Sequence, residues 1–264
     1  MPADLESLTS RSRKVDLDGV DFDAFVRTPL DDASLRCLRY MHDVESHTAC
    51  YLRDLLVTRA HRDATVTAFL ACWVYEEHWH GEAIARVLAA HEEPAGTARI
   101  ETLRAHLPRR DSLRPFAFGL ASAMSRHIVA VHMAWGALNE WCTQAAYARL
   151  AKLSGHPVLA ELLRRIMRQE GRHIDFYASE ATRRLAGSKL AQRTTRAVIS
   201  RFWAPVGSGV MPPEEVGFLV RHLFSGDDGL EVARRIDRSF GRLPGLEALG
   251  LVERSVERAR GEAA

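Results

Sequence analysis

Glu-x-x-His occurs twice in this chain, as Glu77-x-x-His80 and Glu170-x-x-His173, each time within apolar residues at helical spacing. Residues three apart share a helix face, so each Glu and His point to one spot. Two such helices facing one another would bring two carboxylates and two imidazoles together. Buried carboxylates without counter-charge are costly, so a cluster of this kind implies a cation. Imidazole with carboxylate suits iron, zinc or manganese better than calcium. About one such tetrad arises by chance in a chain of this composition, so its surroundings carry the weight.

Those surroundings are helical. Apolar residues recur at intervals of three and four almost throughout, and alternating strand patterns are scarce. An all-α chain is expected. Residues 1–29 read as an irregular lead-in. Four long helices follow, over about 31–59, 63–91, 112–153 and 157–185, with a short one near 97–107. Pro94 and Gly96 end the second, Ser154-Gly155 ends the third, and Pro115 is tolerated in the third's first turn. These elements, within residues 30–187, suit a four-helix bundle. Residues 188–264 read as three or four shorter helices, an extension packed on that bundle.

Each long helix carries a polar residue on an otherwise apolar face. The first offers Glu45, the second Glu77 and His80, the third Glu140, the fourth Glu170 and His173. One Glu from each of two helices, with Glu-x-x-His from each of the other two, is the ligand set of carboxylate-bridged di-iron and di-manganese bundles. Four carboxylates also balance two divalent ions, so the whole can be buried where its parts could not. Gly136, one turn before Glu140, leaves either room for a small molecule or a close helix crossing.

Composition narrows the rest. With 264 residues, 47% of them hydrophobic, there is material for a sizeable core. A net charge of +2 argues for neither nucleic acid nor membrane binding. No apolar run approaches the ~20 residues that span a bilayer, and the polar first residues lack a signal peptide's apolar stretch. Cys37, Cys50, Cys72 and Cys142 show no paired spacing, which suits free thiols in a reducing cytoplasm.

The segment Glu76-Glu77-His78-Trp79-His80-Gly81-Glu82 resembles the first motif of the soluble acyl-carrier-protein desaturases, EExRHG and an acid, with Trp79 in place of Arg. Glu170-Gly171-Arg172-His173 resembles their second motif, ExRH, and Glu140-Trp141-Cys142-Thr143 their Glu-x-x-Thr. Tyr51 falls where that family has a tyrosine. The resemblance covers about residues 30–185. It implies a ferritin-like bundle holding two iron ions, or manganese, with O2 as co-substrate. It also implies that Thr143 handles oxygen or protons, and that Glu76 and Gln169 orient the metal-bound histidines. Gln169 stands where the family commonly has Asp; an amide can still accept the hydrogen bond.

The expected activity is oxidation of an unactivated C–H bond, by desaturation or hydroxylation of a fatty-acyl chain. Phe116, Phe118, Met124 and Met133 either line a tunnel for that chain or are core. With no flavin, nicotinamide or iron–sulfur fingerprint, electrons are expected from an external donor of ferredoxin type. Arg109, Arg110 and Arg114, and Arg164, Arg165, Arg168 and Arg172, either dock an acidic acyl carrier protein or form solvated faces. A homodimer is expected by analogy. Aldehyde-deformylating and tRNA-hydroxylating di-iron enzymes share the ligand set, as does a non-catalytic iron-binding protein. Ile166 stands where arylamine N-oxygenases have a further histidine, which argues against that family.

Overall fold

The computed structural model describes residues 5–261, apart from the side chains of Leu5, Ser7, Leu8 and Arg110. Among these residues the chain is all-α, with twelve α-helices and no strand. They are α1 (Leu5–Arg11), α2 (Asp23–Arg27), α3 (Asp32–Leu56), α4 (Ala64–Ala89), α5 (Gly96–Ala105) and α6 (Arg114–Met124), then α7 (Ile128–Ser154), α8 (Pro157–Ala186), α9 (Lys189–Phe202), α10 (Pro213–Leu223), α11 (Gly226–Phe240) and α12 (Leu251–Gly261).

The long helices start where side chains satisfy their free N–H groups. Asp31 accepts from the N–H of Ser34 at 2.7 Å. Asp63 accepts from Thr65 and Val66 at 3.1 Å. His156 Nδ1 accepts from Leu159, with Pro157 supplying the first turn of α8. Gly155, at φ +63°, ends α7 in the left-handed conformation that costs glycine least.

The chain departs from expectation in two places. A single helix expected over 112–153 is instead two, α6 and α7. Ser125 leaves helical geometry at φ −134°, ψ 121°, and its Oγ accepts from the N–H of His127, a local bond that competes with the helix ladder. The irregular lead-in also contains two short helices, α1 and α2. At seven and five residues they are too short for apolar periodicity to register.

α3 packs on α4 and α7 on α8, while α4 meets α8 and α3 meets α7. This closed ring fits a four-helix bundle. α9 lies on α7 and α8, α11 on α7, and α10 on α3, α7 and α12. One apolar core therefore runs from Val15 in the lead-in to Ala259 in α12. The four cysteines are free. Burial pushes the Cys37 thiol up to about 12, so it stays protonated.

Small residues set the closest approaches. A Cβ at Gly136 would lie 2.4 Å from the Tyr177 ring, so α7 and α8 meet here through an aromatic face on bare backbone. The close-crossing reading of Gly136 therefore holds, and Tyr177 fills the space a small molecule would need. Gly136→Ala is expected to destabilise the fold by about 1–3 kcal/mol through overpacking, despite alanine's better helix propensity. Urea unfolding checks this; an unchanged midpoint would refute it.

Candidate metal centre

Glu45, Glu77, His80, Glu140, Glu170 and His173 converge in the middle of the four long helices, each at most 6% exposed. They form two overlapping groups. Ligand atoms of Glu45, Glu77, His80 and Glu170 lie within 4.8 Å of one another, as do those of Glu77, Glu140, Glu170 and His173. Glu77 and Glu170 belong to both, and each group has one carboxylate and one imidazole of its own.

The two halves mirror one another. His80 Nδ1 lies 3.2 Å from Glu170 Oε1, 3.6 Å from Glu77 Oε2 and 3.9 Å from Glu45 Oε2. His173 Nδ1 lies 3.1 Å from Glu77 Oε1, 3.1 Å from Glu170 Oε2 and 3.8 Å from Glu140 Oε2. Atoms bound at about 2.1 Å to a common ion are separated by such distances. His80 Nδ1, Glu77 Oε1 and Glu170 Oε1 are buried without a hydrogen-bond partner. Unsatisfied lone pairs that face one another in a buried core fit a cation. The cluster can therefore hold metal ions.

Both imidazoles are oriented from behind. His80 Nε2 donates to Gln169 Oε1 at 2.9 Å, and His173 Nε2 donates to Glu76 Oε2 at 2.8 Å. Protons fixed on Nε2 leave each Nδ1 lone pair free for a metal. Gln169 and Glu76 thus make the contacts to these histidines that the resemblance implies. Glu76 also accepts from Arg172 at 2.7 Å, which stabilises its charge. A backbone contribution was not foreseen: the Arg13 N–H donates to Glu76 at 3.2 Å, and the Arg13 carbonyl accepts from Gln169 at 2.8 Å. One stretch of lead-in backbone thus braces the supports of both histidines. Arg165 holds that stretch by donating to the carbonyls of Asp16 and Asp18.

Two aromatic donors also escaped the sequence reading. Tyr147 Oη donates a short hydrogen bond to Glu45 Oε1, and Trp73 Nε1 donates to Glu140 Oε1 at 2.9 Å. Each holds a carboxylate belonging to only one group. Tyr147 sits seven residues after Glu140 and Trp73 four before Glu77, both on ligand faces, so spacing was the available signal. Tyr51 is not in the cluster; its ring meets His47 edge-on at 5.5 Å.

In the metal-free protein the cluster is neutralised by protons. Burial, with the charge of Glu77, pushes the Glu45 carboxyl well above its ordinary range; burial, with the charge of Glu170, does the same to Glu140. Burial opposes protonation of His80, yet the Glu170 and Glu77 carboxylates outweigh it and lift His80 to about 10. His173 is raised against burial by Glu140, Glu170, Glu76 and Glu77. Despite burial, Glu77 is held low by the Glu45 carboxyl group and then by the two histidines, and Glu170 is held low by the two histidines. Two imidazolium ions then balance two carboxylates.

An apolar cavity of about 60 Å³ adjoins the cluster. Glu45 and Thr143 line it, together with Tyr40, Met41, Trp203, Phe224 and residues of α12. The expected tunnel residues do not form it: Phe116 and Met124 are 76% and 79% exposed, Phe118 stacks on His132, and Met133 is core. α6 turns its apolar side outward, so aromatics and methionines at helical spacing there are surface. Of the arginines, Arg164 and Arg165 pair with Glu161 and Arg172 with Glu76, while Arg168 and Arg109 are exposed. Arg114 pairs with Asp54 at 3.0 Å, and the Arg110 side chain lies outside the described residues. No helix among the described residues is long and apolar enough to cross a membrane. No protein-family model and no curated protein matches this chain.

Proposed function

We propose that this chain is an O2-dependent di-iron oxidoreductase that oxidises an unactivated C–H bond of an apolar, fatty-acyl-type chain. The observation that carries the reading is the sharing of Glu77 and Glu170 between two ligand groups. Two carboxylates common to both groups suit a pair of ions better than a single one. The bound pair supplies reversible redox chemistry and the activation of O2.

The protein's own residues supply the remainder. Gln169 and Glu76 hold the imidazoles by Nε2, and Tyr147 and Trp73 hold the outer carboxylates. The buried, apolar surroundings exclude water from a reactive oxidant. Thr143 lines the cavity one turn beyond Glu140, where its hydroxyl can pass a proton towards the ligand cluster. The cavity's apolar walls favour a hydrocarbon over a polar substrate. For desaturation, two hydrogens leave adjacent carbons, and O2 with two further electrons and two protons becomes two waters. The electrons come from an external donor of ferredoxin type, and the acyl group is presented on a carrier.

Anaerobic reconstitution with Fe(II) tests the reading. Two irons per chain are expected, with a coupled pair in the Mössbauer spectrum after exposure to O2. Fewer than two irons would refute the two-ion site. Two irons without O2 consumption, given reductant and acyl substrates, would instead leave a metal-binding protein without this activity.

A further inference from the structure

α6 is fastened to the bundle by one side only. Phe118 stacks on His132 with ring centroids 5.5 Å apart, and the buried Ser122 accepts from the Arg59 N–H at 2.8 Å and from its Nε at 3.0 Å. The outer side is wholly apolar: Leu113, Phe116, Ala117, Leu120, Ala123 and Met124 are all exposed. The four large ones are 62%, 76%, 63% and 79% exposed. At about 100° per residue, positions 113, 116, 120 and 124 fall on one narrow stripe. Leu56 and Val57, 40% and 43% exposed at the end of α3, extend it. The Val57 carbonyl lies 3.9 Å from where a Cβ at Gly119 would sit. Six of the eleven exposed large hydrophobics among the described residues are thus gathered here. A soluble surface rarely groups them so without a partner.

The exposed charges carried by the two segments that build the stripe have one sign. From Arg104 to His127 the only acid is Asp111, which is buried and bound by Arg53 at 3.2 Å. From Leu55 to Arg62 there is none. Arg59, Arg62, Arg104, Arg109 and Arg126 are exposed. A second copy of the chain, meeting this face across a two-fold axis, would set one cationic rim against another. An anionic lipid surface meets both demands. Apolar side chains enter beneath the headgroups, and guanidinium groups stay level with the phosphates. With eleven residues α6 is too short to span a bilayer, so it would lie in the plane of the interface.

We propose that the outer face of α6, with Leu56 and Val57, docks the protein on anionic membrane surfaces. The proposal is independent of the metal centre, and its test does not need activity. The full chain is sedimented with phosphatidylcholine vesicles, with and without phosphatidylserine. Binding to the serine-containing vesicles is expected, about tenfold or more weaker without the anionic lipid and weakened by salt. F116S/L120S should lose binding by about tenfold or more. Because both side chains are exposed, its circular dichroism should match the wild type. Three results would overturn the proposal: no binding to anionic vesicles; equal binding by F116S/L120S; or failure to bind vesicles while the same variant abolishes a dimer or the capture of an acidic carrier protein.

Discussion

Glu170→Ala is expected to abolish uptake of both metal ions, whereas Glu45→Ala and Glu140→Ala should each cost one. Glu170 shares ligand distance with both groups, while Glu45 belongs to the His80 group and Glu140 to the His173 group. Removing an outer support of a ligand typically costs 10–100-fold in affinity, so losing a shared ligand should cost on the order of 100-fold or more at each ion. Alanine also leaves the charged forms of His80 and His173 short of a partner, at about 3–5 kcal/mol for a broken buried pair. Glu170→Gln keeps the volume and removes the charge, which separates ligand loss from collapse of the fold. Metal counting by mass spectrometry of the folded protein is the measurement. Two ions retained by both Glu170 variants would refute the shared-ligand assignment. Full occupancy in Glu140→Ala would likewise refute the six-ligand set.

The six cluster residues were legible because each is a polar side chain on an apolar helical face, a pattern that is costly unless something compensates it. The long helices were legible for similar local reasons. Asp31 and Asp63 mark starts, Gly155 marks a stop, and apart from the start of α7 at Ile128 the observed ends fall within about three residues of those expected. What was hidden does not leave a local mark. Tyr147 and Trp73 look like core aromatics until their partners are known, because a hydrogen-bonding tip adds nothing to apolar spacing. The Arg13 backbone braces Gln169 and Glu76 through groups that every residue possesses. The cavity wall comes from α10 and α12, roughly a hundred residues beyond Thr143, and only tertiary packing brings them together. α6 misled for the opposite reason. Its sequence is apolar on nearly every side, so periodicity could not say which side faces out.

The stability of the metal-free and metal-loaded protein should respond to pH with opposite slopes. Without metal, the native cluster keeps protons that the unfolded chain gives up. Opposing burial, the Glu170 and Glu77 carboxylates hold His80 up to about 10, against about 6.5 unfolded. His173 is raised too, and burial raises Glu45 and Glu140. A group whose folded pKa is raised contributes its full stability below the unfolded value and loses it as pH rises through the folded value. Metal-free stability should therefore fall between pH 7 and 9. Each retained proton accounts for about 1.4 kcal/mol per pH unit, or roughly 3–5 °C in a domain of this size. Bound ions displace those protons, so the native chain then holds fewer than the unfolded one, and acid is what destabilises it. Loaded protein should gain stability from pH 5 to 7, where the unfolded histidines lose their protons. Thermal melts of chelated and Zn(II)-loaded protein across pH 5–9 separate the two forms without redox chemistry. Parallel slopes would mean that the six side chains do not exchange protons for metal, and a cluster that fails that exchange cannot be the site of the proposed reaction.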